Sequence, residues 1–136
     1  MRLSNLADYA VVTMSEAARQ CGATAVLGGG RTSAATLAAR AGLPVPTVQK
    51  IVSRLTAAGL LRSVRGAGGG LQLARPPAAI TLAEIVEAVE GPIVLQPVAD
   101  IEGGTVRPHL AIINTALRGA LAGISLDQLA RTRELA

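Results

Sequence analysis

The sequence has no Trp and no Phe, and Tyr9 is its only aromatic residue. Aromatic area for stacking sugars or bases is therefore nearly absent, and a core has to be assembled from Leu, Val, Ile and Ala, which suits close helix packing. One cysteine, Cys21, excludes a disulfide framework and a thiolate metal cage within one chain. It fits a reducing, cytoplasmic setting. Long apolar runs are missing too: the longest charge-free stretch runs from Gln20 to Gly30, whereas a spanning helix needs roughly 20 apolar residues. The chain is expected to be soluble, with no membrane partner, despite a mean hydropathy of +0.44. Asp8 and Glu16 flank the apolar run Ala10-Val11-Val12, and no small-residue cleavage site follows, so the N-terminus does not read as a targeting signal.

What is present is an uneven charge. Residues 1–75 carry nine basic side chains against Asp8 and Glu16, net +7, and residues 76–136 carry four basic and seven acidic ones, net −3. A basic half beside an acidic half separates a polyanion-binding part from a part with another task. The expected organisation is a DNA-binding domain over residues 1–78, followed over 79–136 by a connecting helix, a loop and a dimerisation helix.

Helical periodicity dominates. Ser4 or Asn5 can cap a helix through Cys21, and Ser33 can cap a short one from Ala34 to Ala41, stopped by Gly42. Leu43-Pro44-Val45-Pro46 reads as a turn, and a further helix runs from about Pro46 to Ala58 with Gly59 as its stop. On that helix Val48, Ile51, Val52 and Leu55 share one face. Leu61–Arg65 and Leu71–Arg75 then read as strands around a glycine-rich tip. Thr81-Leu82-Ala83-Glu84 is a capping box with Ile80 and Ile85 as its staple, and Ser125-Leu126-Asp127-Gln128 is a second one. Between them Pro108 opens a longer helix. The expected fold class is mainly α with a small β-hairpin.

Ala38, Gly42 and Val48 have the spacing of a helix-turn-helix: a small residue where two helices cross, a glycine in the turn, an apolar lock on the second helix. A tight helical hairpin of another kind satisfies the same spacing. The second helix would present Thr47, Gln49, Lys50, Ser53 and Arg54 to a major groove, with Pro46 at its start. The basic hairpin Arg62-Ser63-Val64-Arg65, with Gly68 and Gly69 at its tip, fits contact with phosphates or a minor groove and converts the motif into a winged helix. A nucleotide-phosphate loop fails on context, because the glycines match neither G-x-G-x-x-G nor G-x-x-x-x-G-K-[ST] and no helix follows. A solvated turn stays open as the bland alternative. Direct readout would come from Thr47, Gln49 and Lys50, and phosphate contacts from Ser33, Arg54, Arg62 and the wing. Arg2 joins this set. Leu110, Ile113, Leu117, Leu121 and Ile124 recur like a helix-to-helix seam, which fits either a dimer or packing within one subunit.

Met1-Arg2-Leu3-Ser4, Asp8-Tyr9-Ala10, the helix-turn-helix, Ser63-Val64-Arg65-Gly66-Ala67-Gly68-Gly69-Gly70, Leu73-Ala74-Arg75-Pro76 and Ile80-Thr81-Leu82-Ala83-Glu84-Ile85 occur in this order. Together they resemble the Rrf-two family of bacterial winged-helix repressors, over essentially the whole chain. Leu6–Val12, Leu43–Val48 and Glu90–Ile93 look most like the branch that regulates the SUF iron–sulfur assembly system. The resemblance implies a homodimer on double-stranded DNA, one wing and one recognition helix per half-site, with the long C-terminal helix crossing its partner.

In the sensing members three loop cysteines hold an iron–sulfur cluster. Here the loop from Leu95 to His109 has none and looks shorter, with Val98 and Gly104 near where the outer cysteines would fall. Asp8 matches a cross-subunit ligand of some members, but a carboxylate without thiolates does not hold such a cluster. It reads instead as a first-turn helix carboxylate. His109 is a ligand, a pH switch or a solvated helix-start residue, and Cys21 a small buried apolar one. The expectation is no metal and no cofactor, in a member that lost its sensor or a chain whose loop was altered.

The function expected is therefore a sequence-specific transcriptional regulator, a repressor on a palindromic operator of iron–sulfur assembly or redox-stress genes. The alternative is a protein-interaction module that keeps the winged helix without reading DNA, although a net +7 half argues against it. An enzyme is not expected: one His, one Cys and no phosphate loop leave no constellation to catalyse with.

Overall fold

Seventeen residues from Asn5 to Cys21 form α1, and its apolar positions Ala7, Ala10, Met14, Ala17 and Cys21 all point inward. Their spacing of three and four residues along the helix places them on one face. The hydroxyls of Thr13 and Ser15, buried on the same helix, donate to the carbonyls of Tyr9 and Val11 at 2.7 and 2.8 Å, so neither hydroxyl is stranded. This computed structural model describes residues 5–21, 30–65, 69–92 and 108–135, with 108–111 and 132–135 as backbone only.

Helix α2 (Ala34–Ala41) starts where Ser33 accepts the Thr36 N–H at 3.1 Å. It stops at Gly42, whose φ of +70° lets the chain turn back, while the Leu43 N–H closes on the Ala38 carbonyl at 3.0 Å. Pro44 caps the next helix, α3 (Val45–Ala57), one residue earlier than the periodicity suggests. Val48, Ile51 and Leu55 are fully buried on it, and Val52 is half-buried. Strands β1 (Leu61–Val64) and β2 (Gly70–Leu73) pair antiparallel, Leu61 opposite Leu73 and Arg62 opposite Gln72. The strands are shorter than the pattern Leu61–Arg65 and Leu71–Arg75 implies. Thr32 adds a bridge on the other edge of β2, exchanging hydrogen bonds with Leu71 at 2.9 and 2.8 Å.

After a 3-10 turn at Pro77–Ala79, α4 (Leu82–Glu90) opens on the expected capping box, with the Glu84 N–H donating to the Thr81 hydroxyl at 3.2 Å. The staple residues Ile80 and Ile85 are both fully buried. Helix α5 (Pro108–Ala122) packs on α4, where the Arg118 Nε meets the Glu87 carboxylate at 2.7 Å. Helix α6 (Leu126–Leu135) returns to α1. Its start is locked to the start of α4: the Leu82 N–H donates to the Ile124 carbonyl and the Leu126 N–H to the Ile80 carbonyl, both at 2.8 Å. Ser125 and Gln128 cap it reciprocally, at 2.9 and 3.2 Å. Residues on both sides of position 78, from Ala7 to Leu73 and from Ile80 to Ala130, share one hydrophobic core. No helix among the described residues is long and apolar enough to cross a membrane.

The α4 start carries a pH-dependent contact. Burial alone would raise the Glu84 pKa, but the Arg75 guanidinium, by hydrogen bond and charge, together with Thr81, outweighs it and holds the carboxyl below the ordinary value. A carboxylate so depressed stabilises the fold above its unfolded pKa, about 4.3, and that contribution disappears as pH falls through the folded value. Both partners are about a third exposed, so solvent screening limits the effect to about a few tenths of a kcal/mol. Glu84→Gln keeps a residue able to cap. Urea unfolding at pH 7 is expected to show the variant slightly less stable than the parent, and the gap to close near pH 3.

Candidate nucleic-acid interface

Helix α3 sorts its side chains by face. With Val48, Ile51 and Leu55 buried beneath, Pro46, Gln49, Lys50, Ser53 and Arg54 are exposed and Thr47 is half-buried. This follows from the 3.6-residue period: once 48, 51 and 55 face the core, 46, 49, 50 and 53 have to face away. The rim of this face is half-fixed by a contact that the sequence did not disclose. Arg54 Nη1 donates to the Val89 carbonyl at 2.6 Å. The guanidinium expected at a phosphate thus also reaches the C-terminal end of α4, where carbonyls lack helical partners and favour a cation.

On the hairpin, Arg62, Ser63, Arg65 and Gly69 are exposed. Arg62 is oriented by its cross-strand neighbour: Nε and Nη2 donate to the Gln72 Oε1 at 3.3 and 3.1 Å. Gln72 itself is only 3% exposed. Ser33 stands half-buried at the start of α2, its hydroxyl engaged by the Thr36 backbone. Arg40, Lys50 and Arg65 form no ion pair among the described residues, so their charge is available to a polyanion. Arg2 and Gly68 lie outside the described residues.

The helix and wing thus form one continuous unit, α2–turn–α3–β1–β2, with contacts between α2 and α3 and between α3 and β1. A family model described as "Rrf2: Iron-dependent Transcriptional regulator" matches residues 3–132. The chain belongs to the Rrf2 family. Among Rrf2 regulators it is 33% identical to CymR of Bacillus subtilis over 130 residues, 96% of this chain and 90% of that one. It is 37% identical to IscR of Cereibacter sphaeroides over 90 residues, 66% of this chain but 56% of that regulator. A solved structure of B. subtilis CymR, described as the global cysteine regulator, has a TM-score of 0.76 at 32% identity and covers 97% of this chain and 98% of that one. The structure of T. potens IscR follows with 0.72 at 27% identity, covering 98% and 88%. This Rrf2 member is a DNA-binding transcriptional regulator, and its relatives are named as regulators, not enzymes.

The donor set does not fit the iron–sulfur cluster of sensing Rrf2 members. Such clusters are held mainly by thiolates, and Cys21 is the chain's one thiol. It is 2% exposed. Burial pushes its pKa up, against a smaller lowering by a hydrogen bond with the Leu73 backbone. That favours the neutral thiol, which is not the metal-binding form. Among the described residues no three His, Cys, Asp or Glu side chains come together to hold a metal. Residues 93–107, with Val98 and Gly104, and the His109 side chain lie outside the described part.

The expected seam on α5 divides. Leu117 and Leu121 are half-buried against the chain's own core, and Ile124, also half-buried, lies in the turn beyond the helix. Ile113 remains 43% exposed, and Ile112, which the seam pattern passed over, is 72% exposed. The Leu110 side chain is outside the described part.

Proposed function

We propose that this Rrf2 regulator is a homodimeric, cluster-free repressor that reads a palindromic operator with α3 and holds the flanking backbone with its wing. The observation that carries this reading is the exposure of Gln49, Lys50 and Ser53 on a helix whose opposite face is completely buried. A rigid helix with polar hydrogen-bonding side chains along one face is what major-groove readout requires. Gln49 suits a bidentate pair with adenine, and Lys50 a guanine or a phosphate. The dimer is supported by Ile112 and Ile113, two large apolar side chains on α5 that a single chain leaves in water. A C2 pair of recognition helices reads a two-fold operator. Genes of iron–sulfur assembly, redox stress or sulfur supply are the proposed targets, given the relatives.

The test is a fluorescence-anisotropy titration against a panel of palindromic duplexes at two salt concentrations, with the mass of the free protein measured by light scattering. The expected result is a dimer that prefers some duplexes and weakens steeply with salt. Gln49→Ala should reduce discrimination between its best and mismatched duplexes by roughly 1–3 kcal/mol. Arg65→Ala should instead weaken all duplexes alike and flatten the salt dependence. Binding that is indifferent to both sequence and salt would point to a protein-interaction module instead.

A further inference from the structure

Helices α3 and α4 pack together but leave a cleft of about 560 Å³ between their C-terminal ends. Ala57 and Ala58 beside α3, and Ala88 and Gly91 beside α4, line it with groups too short to meet across it. Arg54 lines the same cleft and does cross it: its Nη1 donates to the Val89 carbonyl at 2.6 Å, 35 residues away in the chain. Val89 lies in the last turn of α4, where carbonyls lack an intrahelical N–H and carry the negative end of the helix dipole. A guanidinium donor makes such a bond short and strong. The acceptor is also firmly seated, since Val89 is only 4% exposed.

The buried face of α3, Val48, Ile51 and Leu55, holds the helix by apolar contact, which is non-directional. A hydrogen bond has a preferred length and angle, so Arg54 adds a directional restraint that this packing lacks. It sits one turn beyond Lys50, on the helix that also exposes Gln49 and Ser53. On the other side of the bond, α4 is joined to α5 two residues before Val89, where Glu87 meets the Arg118 Nε at 2.7 Å. Helix α5 carries the exposed Ile112 and Ile113. A chain of polar contacts therefore runs from the recognition helix through α4 to the helix proposed to meet a second copy. In a dimer the two recognition helices enter major grooves about 34–36 Å apart, and that separation depends on how each is held relative to the dimer helix. We propose that Arg54 is a positioning residue, a tether that fixes α3 against α4 and so selects the separation of the two half-sites. This rests on the dimeric DNA-binding reading and adds selectivity for half-site spacing to it.

The test is anisotropy of the full chain with Arg54→Gln and Arg54→Lys, over a salt series and well below the melting temperature of each variant. The duplexes are the preferred palindrome and versions that keep both half-sites but move them one or two base pairs closer or further apart. Arg54→Gln is expected to shrink the affinity gap between preferred and altered spacings several-fold. The slope of log affinity against log salt should stay that of the parent, whereas a lost phosphate contact would make it less steep by about one. Arg54→Lys can still bring an N–H donor to the carbonyl and should restore most of the spacing preference. Circular dichroism melting should be close to the parent in both, because Arg54 is exposed and the buried face of α3 is untouched. Spacing preference decides. If Arg54→Gln discriminates spacings as the parent does, the tether is refuted, whatever happens to overall affinity, and the DNA reading stands. If the parent itself prefers no duplex, the dimeric DNA reading fails and the tether with it.

Discussion

Leu55→Ala is expected to remove roughly 2–5 kcal/mol of stability, a large share of the roughly 5–15 kcal/mol that holds a domain together. Leu55 has no exposed surface, and it lies on α3 between Ile51 and the start of the hairpin at Leu60 and Leu61, all of them buried. Losing three carbons there forfeits their transfer free energy and leaves a cavity, and α3 is contacted by α1, α2, α4 and β1, so its surroundings cannot all collapse inward together. In urea the midpoint should fall with little change in slope. Val52→Ala, one turn away but half-buried, should cost distinctly less. DNA affinity of Leu55→Ala should approach that of the parent when measured well below its melting temperature, since no groove-facing group changes. Equal costs for the two variants would show that α3 is not anchored through Leu55.

Gly70→Val is expected to detach the wing from Thr32. Valine is ordinarily a good strand residue, but here its Cβ would meet the Thr32 carbonyl oxygen at 2.4 Å, and a φ of +156° is one that L side chains rarely adopt. Backbone cannot yield as a flexible side chain can, so the two Thr32–Leu71 hydrogen bonds have to lengthen or break. At about 1 kcal/mol each, with the backbone displacement added, the loss is about 3 kcal/mol locally. Hydrogen exchange should show the Thr32 and Leu71 amides losing protection while those of α1 and α4 keep theirs. Affinity for all duplexes should drop together. Retained protection at Thr32 would mean that the close approach is not obligatory.

These two cases divide along a physical line that runs through the whole chain. Ser33, Gly42, Thr81 with Glu84, and Ser125 with Gln128 were readable as helix ends because each cap is made within four residues. The buried face of α3 and the hairpin were readable for the same reason, since periods of 3.6 and 2 are properties of a local segment. The chain's membership of the Rrf2 family was legible in motifs that keep their order from residue 3 onward.

Long-range partners were not legible. Nothing near Arg54 announces the Val89 carbonyl, nothing near Thr32 announces Leu71, and the stripe Leu110 to Ile124 has the right period for either a partner helix or its own core. On α5, Leu117 and Leu121 pack partly against the chain's own core, while Ile112 and Ile113 stay exposed. Sequence alone settled the kinds of element, the capped helix ends, the basic character of the first half and the lack of thiolates for a cluster, since these depend on composition and neighbours. Which arginines are tied down, which glycine admits a crossing strand and which face of α5 stays open depended on tertiary structure. Those outcomes turn on distances between segments far apart in the chain, and no local period encodes such distances.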